Sequence, residues 1–155
     1  MKHLSLIEIA FLLFPLICSA EVPTKEITVD EILAAGPEWQ KIYNNYKPDP
    51  QQIGLLKSMV GQDLKIRVYL GLWCPDSRNN VPRFLRILDE IGVPVPVQYF
   101  GVQRKPSKEM KYFVDKAQVE RVPTFIFFRG EKEIGRIVEN PKVGLCEDML
   151  AILSP

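Results

Sequence analysis

The fold turns on residues 71–84, GLWCPDSRNNVPRF. A Trp73-Cys74-Pro75 triplet opens a helical pattern there, and a second proline, Pro82, lies eight residues past the cysteine. Just upstream, Ile66, Val68, Leu70 and Leu72 alternate with Lys65, Arg67, Tyr69 and Gly71, which is the period of a β-strand. Downstream, Val81, Phe84, Leu85 and Leu88 recur at helical spacing until Gly92 stops the pattern. The chain therefore passes from strand to helix at Cys74. A helix N-terminus presents unpaired N–H groups and partial positive charge, which favour a thiolate at that position. Arg78, one turn on, adds to this, and Asp76 opposes it. Pro75 suits a first turn, where a missing N–H costs nothing, and Pro82 is predicted to kink the helix. Taken alone, the triplet fits a buried cysteine used as a small apolar residue equally well.

Towards the C-terminus the alternation of elements continues. VPVQYFGV reads as a second strand, and PSKEMKYFVDKAQ as a helix with Pro106 at its start and Met110, Phe113 and Val114 facing inward. TFIFFRG and EIGRIVE form a hairpin turning over residues 130–132, and GLCEDMLAIL closes as a helix. Towards the N-terminus, residues 21–28 are a loose lead-in. Two short helices follow, with Asp30 capping the first, Gly36 ending it and Pro37 in the first turn of the second. A third helix starts at Asp49-Pro50, places Ile53, Leu56 and Val60 on one face and stops at Gly61. From residue 64 the order is strand, helix, strand, helix, strand, strand, helix. That order predicts an α/β fold: a mixed four-stranded sheet flanked by helices, with a helical N-terminal extension.

Composition narrows the classes. The 155 residues carry 20 basic and 19 acidic groups, a balance that points to neither nucleic acid nor an anionic membrane surface. The apolar run IAFLLFPLI at residues 9–17 is short for a bilayer span, follows a polar start with Lys2 and His3, and ends in CSA. It predicts an export signal cleaved after Ala20, with an uncleaved membrane anchor as the alternative. The expected division is 1–20 signal peptide, 21–61 helical extension and 62–155 sheet domain. An exported protein, periplasmic or secreted, meets an oxidising compartment. Two of its three cysteines, Cys74 and Cys146, remain after cleavage. They fit either one structural disulfide or one working thiol and one buried bystander.

The combination of Trp73, Cys74 and Pro75, the helix-internal Pro82, Val122-Pro123-Thr124 and the hairpin TFIFFRGEKEIGRIVE resembles the thioredoxin superfamily. The resemblance covers residues 62–155, with the motifs in family order, and the N-terminal helices resemble a bacterial branch. It implies a thioredoxin-like fold in which Pro123 is cis and lies against a reactive Cys74. It also implies a docking surface made of Trp73, Pro75, Val122, Pro123 and Thr124. The sequence departs from the family twice. Ser77 stands where the family has its resolving cysteine, giving a single-cysteine Trp-Cys-Pro-Asp-Ser motif. Val68 stands where the central strand of the family carries a buried acid.

Ser77 sets the expected chemistry. A Cys74 thiolate can attack a disulfide and form a mixed disulfide, but a serine hydroxyl cannot resolve it; Ser77 is expected instead to hydrogen-bond the thiolate. Cys146, with Met149, Leu150 and Leu153 at helical spacing, reads as a buried inert thiol unbonded to Cys74. The leading expectation is exported thiol-disulfide exchange, isomerase-like or partner-assisted. The partners would be cysteine-containing client proteins or low-molecular-weight thiols, with a partner reductase, and the membrane is met only through the export signal. No cofactor and no metal are expected, since the only histidine, His3, falls in the leader and no Gly-rich phosphate loop occurs. The competing readings are a redox-inactive peptide-binding or chaperone-like module on the same fold, and a degenerate paralogue with a structural role only.

Overall fold

The computed structural model describes residues 26–61 and 63–154. The export signal expected at residues 1–20, with His3 and Cys18, lies outside the described residues. The elements run α1 (Val29–Leu33), α2 (Pro37–Asn45), α3 (Pro50–Met59), β1 (Leu64–Leu70), α4 (Pro75–Ile91), β2 (Val97–Gly101), α5 (Lys108–Lys116), β3 (Thr124–Arg129), β4 (Lys132–Val138) and α6 (Leu145–Leu153). The element order expected from residue 64 onward is the one observed.

Local chemistry explains most boundaries. Asp49 accepts from the N–H groups of Gln51 and Gln52 and Pro50 opens α3, as predicted. Gly92 ends α4 at φ +66°, a left-handed conformation that favours glycine. The cap of α1 differs from expectation. Thr28, not Asp30, fills that place: its hydroxyl accepts from Glu31 N–H while the Glu31 carboxylate accepts from Thr28 N–H. The reciprocal bonds of this capping box satisfy two donors, where a lone Asp30 would satisfy one. Gly36 likewise caps the start of α2 rather than closing α1, and α5 begins at Lys108 behind its N-cap Ser107, just past the start expected at Pro106.

The four strands lie in the order β2-β1-β3-β4. β1 is parallel to β2, with α4 as the connection, and antiparallel to β3; β3 and β4 form the hairpin. Glu26 adds an isolated antiparallel bridge to Phe100 at the outer edge of β2, and Ile27 N–H donates to the Tyr99 carbonyl at 2.9 Å.

Both faces of β1 are covered. Leu64, Ile66, Val68 and Leu70 enter the main core with Phe84 and Leu85 of α4, Phe125 and Phe127 of β3, and Leu145, Met149 and Leu153 of α6. Ile32, Trp39 and Leu56 from α1, α2 and α3 join that same core, so the N-terminal helices share their packing with the sheet. On the opposite face, strict alternation would leave Tyr69 with the polar residues. Instead Tyr69 is fully buried, its ring 5.1 Å from Phe100 and 5.6 Å from Phe113 of α5. A strand with helices on both sides gains by burying both faces where neighbours allow. No helix among the described residues is long and apolar enough to cross a membrane.

The α4–sheet contact centres on the Phe84 and Phe125 rings, 4.9 Å apart and both fully buried. Phe84→Ala is expected to lower unfolding free energy by about 3–5 kcal/mol in urea titration, because the side chain leaves a cavity among neighbours that relax only in part. A loss under about 1 kcal/mol would contradict this packing.

Candidate functional site

Leu70 ends β1, and residues 71–74 turn into α4. Cys74 N–H donates to the Gly71 carbonyl at 2.9 Å, and Arg78 N–H donates to the Cys74 carbonyl at 3.0 Å as the helix begins. Cys74 is thus the N-cap of α4, with Pro75 at the first helical position. Gly71 leaves room for the Trp73 indole, which folds back over it: a Cβ there would lie 2.8 Å from the ring and force it to shift. The indole N–H donates to the Val102 carbonyl at 2.9 Å, and the Arg104 guanidinium sits 5.0 Å above the ring.

The second proline-bearing loop meets this turn. The Val122-Pro123 bond is cis, and the Cys74 Sγ–H donates to the Val122 carbonyl at 3.2 Å. Cys74 is 7% exposed. It nevertheless lines a cleft of about 780 Å³ together with Trp73, Val102 and Val122, and with the charged side chains of Lys111, Arg121 and Glu139. Cys74 thus borders the cleft while most of its surface is covered.

The other sequence-predicted residues divide by position. Trp73 is 43% exposed and Val122 half-buried, both on the cleft wall. Pro75 is exposed beside them and Pro123 is buried behind Val122. Thr124 does not face the cleft: it is buried, and its hydroxyl donates to the Arg121 carbonyl at 2.7 Å, closing the loop from within. Ser77 is also fully buried. Its hydroxyl accepts from Gly71 N–H at 3.1 Å, and no Ser77–Cys74 hydrogen bond occurs among the described residues. The expected Ser77–thiolate contact is replaced by a tie to the turn, because the side chain points inward towards the unpaired N–H at the end of β1.

Sequence reasoning missed Asn80. It is buried, and its amide donates to the Glu139 carbonyl and to Asn140 Oδ1, both at 2.9 Å. One signal was available: Ser77, Asn80 and Phe84 share the inward stripe of the helix, and a polar side chain on that stripe needs a partner.

Cys146 is not bonded to Cys74; both are free thiols. Cys146 packs in the main core, and burial, followed by the charge of Glu147, pushes its thiol from an ordinary 9.0 up to about 11, with a hydrogen bond to Tyr46 opposing. Among the described residues no cluster of three or more His, Cys, Asp or Glu side chains is arranged to hold a metal ion.

A thioredoxin family model matches residues 27–150. The chain belongs to the thioredoxin family. Its fold is similar to that of a protein of unknown function from Pseudomonas aeruginosa, with 17% identity, 82% of this chain and 86% of that one covered, and a TM-score of 0.54. A thioredoxin from Aeropyrum pernix shares 21% identity over 60% of this chain and 73% of that one, with a TM-score of 0.38. No match is found among curated proteins. The family assignment accords with the cis Val122-Pro123 bond and the mixed four-stranded sheet; the Ser77 and Val68 departures belong to this chain.

The two thiols of this thioredoxin-family protein should behave differently. Iodoacetamide at about pH 8 is expected to modify Cys74 in the folded protein and Cys146 only after denaturation. Peptide mapping reads the outcome, and equal labelling of both would contradict the placement. Because the folded state holds the Cys146 proton up to about pH 11, its contribution to stability is complete below pH 9.0 and lost as pH rises towards 11. The urea midpoint should fall over that interval, and less steeply in Cys146→Ala.

Proposed function

We propose that this protein is an exported thiol-disulfide exchange protein that works through Cys74 alone. The observation that carries the reading is Cys74 at the wall of a cleft and at the N-cap of α4, its thiol donating to the Val122 carbonyl. The expectation of a cleaved signal at residues 1–20 supports export.

In the proposed cycle, Cys74 loses its proton and the thiolate attacks one sulfur of a client disulfide. The new bond joins Cys74 to that client sulfur, the old sulfur–sulfur bond breaks, and the second client sulfur leaves as thiolate. A further thiolate then attacks the client sulfur of the mixed disulfide. That step forms a new client disulfide and returns Cys74 as thiolate. When the second thiolate belongs to the client, the result is isomerisation with no net electron transfer. When it comes from a low-molecular-weight thiol or a partner reductase, the new disulfide joins client to reagent, and a second reagent thiolate breaks it, releasing the client sulfur as thiolate and leaving a reagent disulfide, so that the reagent supplies both electrons for reduction. Trp73, Pro75 and Val122 form the docking surface in this reading, with Pro123 and Thr124 setting the loop from behind.

Ser77 confines the chemistry to this open cycle. It lies in the first turn of α4, yet its oxygen cannot displace a client sulfur. Val68, fully buried in the main core, offers no proton acceptor where the family's acid would stand. Release of the client therefore depends on an outside thiol.

Two variants test the proposal. Cys74→Ser should abolish shuffling of a scrambled-disulfide substrate; wild-type shuffling in that variant overturns the reading, and full client binding without shuffling in both proteins favours the peptide-docking alternative. Ser77→Cys should add a resolving thiol, shorten the life of the mixed disulfide at least about tenfold and yield an intramolecular disulfide with Cys74. An unchanged lifetime would contradict the role given to Ser77.

A further inference from the structure

We propose that Asn80 is a positioning residue that holds the Val122-Pro123 loop at the sulfur of Cys74, an inference that rests on the exchange reading of that site. Cys74 and Asn80 project from one helix, six residues or about 9 Å apart along its axis. Each grips the same loop by a different route. Cys74 does so directly, through Sγ–H to the Val122 carbonyl at 3.2 Å. Asn80 does so through the residue after β4: its amide donates to the Glu139 carbonyl at 2.9 Å, and Glu139 N–H donates to the Pro123 carbonyl at 2.7 Å.

The surrounding bonds fix that relay. The second Asn80 N–H donates to Asn140 Oδ1 at 2.9 Å, and the Asn140 amide donates to Asp76 Oδ1 in the first turn of α4 at 3.2 Å. The Glu139 carboxylate pairs with Arg121 at 2.7 Å, one residue before Val122. Glu139 holds φ at +58°, a left-handed conformation unusual for a residue with a side chain. Asn80 and Arg121 engage its carbonyl and its carboxylate, so the surroundings maintain that backbone.

The chemistry gives Asn80 its importance. A thiol is a weak hydrogen-bond donor. Once Cys74 enters a mixed disulfide it has no S–H at all, and the direct contact to Val122 is lost. Among the described residues the Asn80 relay, braced by the Asn140–Asp76 bond, then still ties α4 to the loop, at the step where an extended client must lie beside Val122. A client that docks on the loop depends on this tie; a small disulfide that only meets the sulfur does not.

The test uses the mature protein, Asn80→Asp and Asn140→Ala, with folding checked by circular dichroism. Asn80→Asp replaces two donors by acceptors in the same shape, and Asn140→Ala removes one partner on an exposed side chain. Two probes are compared: dipyridyl disulfide, and a pair of extended cysteine peptides joined by a disulfide. Asn80→Asp is expected to slow mixed-disulfide formation with the peptide about tenfold more than with dipyridyl disulfide, and to raise hydrogen exchange at the Glu139 amide about tenfold. Asn140→Ala should move both readings the same way, about threefold. Lowering the pH towards about 4 should restore part of the Glu139 protection in Asn80→Asp, because the protonated acid regains one donor. Unchanged Glu139 exchange and an unchanged ratio of the two rates in both variants would overturn the proposal. Should wild type react with dipyridyl disulfide but not with the peptide, the exchange reading fails, and Glu139 exchange alone decides the role of Asn80: raised in the variants it upholds the tie, unchanged it overturns it.

Discussion

The site depends on one convergence: the N-terminus of α4 meets the loop that enters β3, forty-eight residues further along the chain. The sheet order makes that meeting possible. β1 and β3 are direct neighbours, so the end of β1, where the chain turns into α4, lies beside the start of β3. Tyr69 pairs with Thr124 in that register, which sets Gly71 and the Cys74 turn against residues 121–123. The Phe84 and Phe125 contact fixes the helix on the strand that carries the loop. The thiol's surroundings are thus a consequence of strand register and of one aromatic contact in the core.

On that scaffold this chain carries Ser77 and Val68, where the resemblance to the family implies a second sulfur and a buried acid. Ser77 occupies the place of a second sulfur and spends its oxygen on the Gly71 N–H, stabilising the turn that presents Cys74. Val68 adds to an apolar core where an acid would have to be accommodated in the interior, a costly placement without a partner. Both side chains are buried, Ser77 bonded to the turn and Val68 packed in the core. Cys146 does not compensate, since it is enclosed between the helices on the main core and keeps its proton to high pH.

Much of this was legible in the residues. The alternation in β1, the helical stripe of α4, the hairpin around Gly130 and the Trp-Cys-Pro and Val-Pro-Thr motifs carried the fold class and the family, and both are observed. The features that escaped the sequence are those created by partners distant in the chain. Tyr69 reads as a polar-face residue until α5 covers it with Phe113. Ser77 reads as a neighbour of Cys74, yet its hydroxyl finds the backbone of Gly71. Thr124 reads as part of a docking surface and instead closes its own loop. Asn80 reads as a polar helix residue until Glu139 and Asn140, about sixty positions away, arrive beside it. The α1 cap was lost for a local reason, because Asp30 competes with Thr28 as a signal and only the reciprocal bond to Glu31 decides between them.

The central claim is that one sulfur, Cys74, takes up client cysteines. Intact-mass and peptide-mapping analysis of the protein incubated with a disulfide-linked peptide decides this. A single peptide adduct on Cys74, removed by added thiol, with Cys146 unmodified, is the expected result. An unadducted protein, or an adduct on Cys146 with Cys74 left as free thiol, would contradict it.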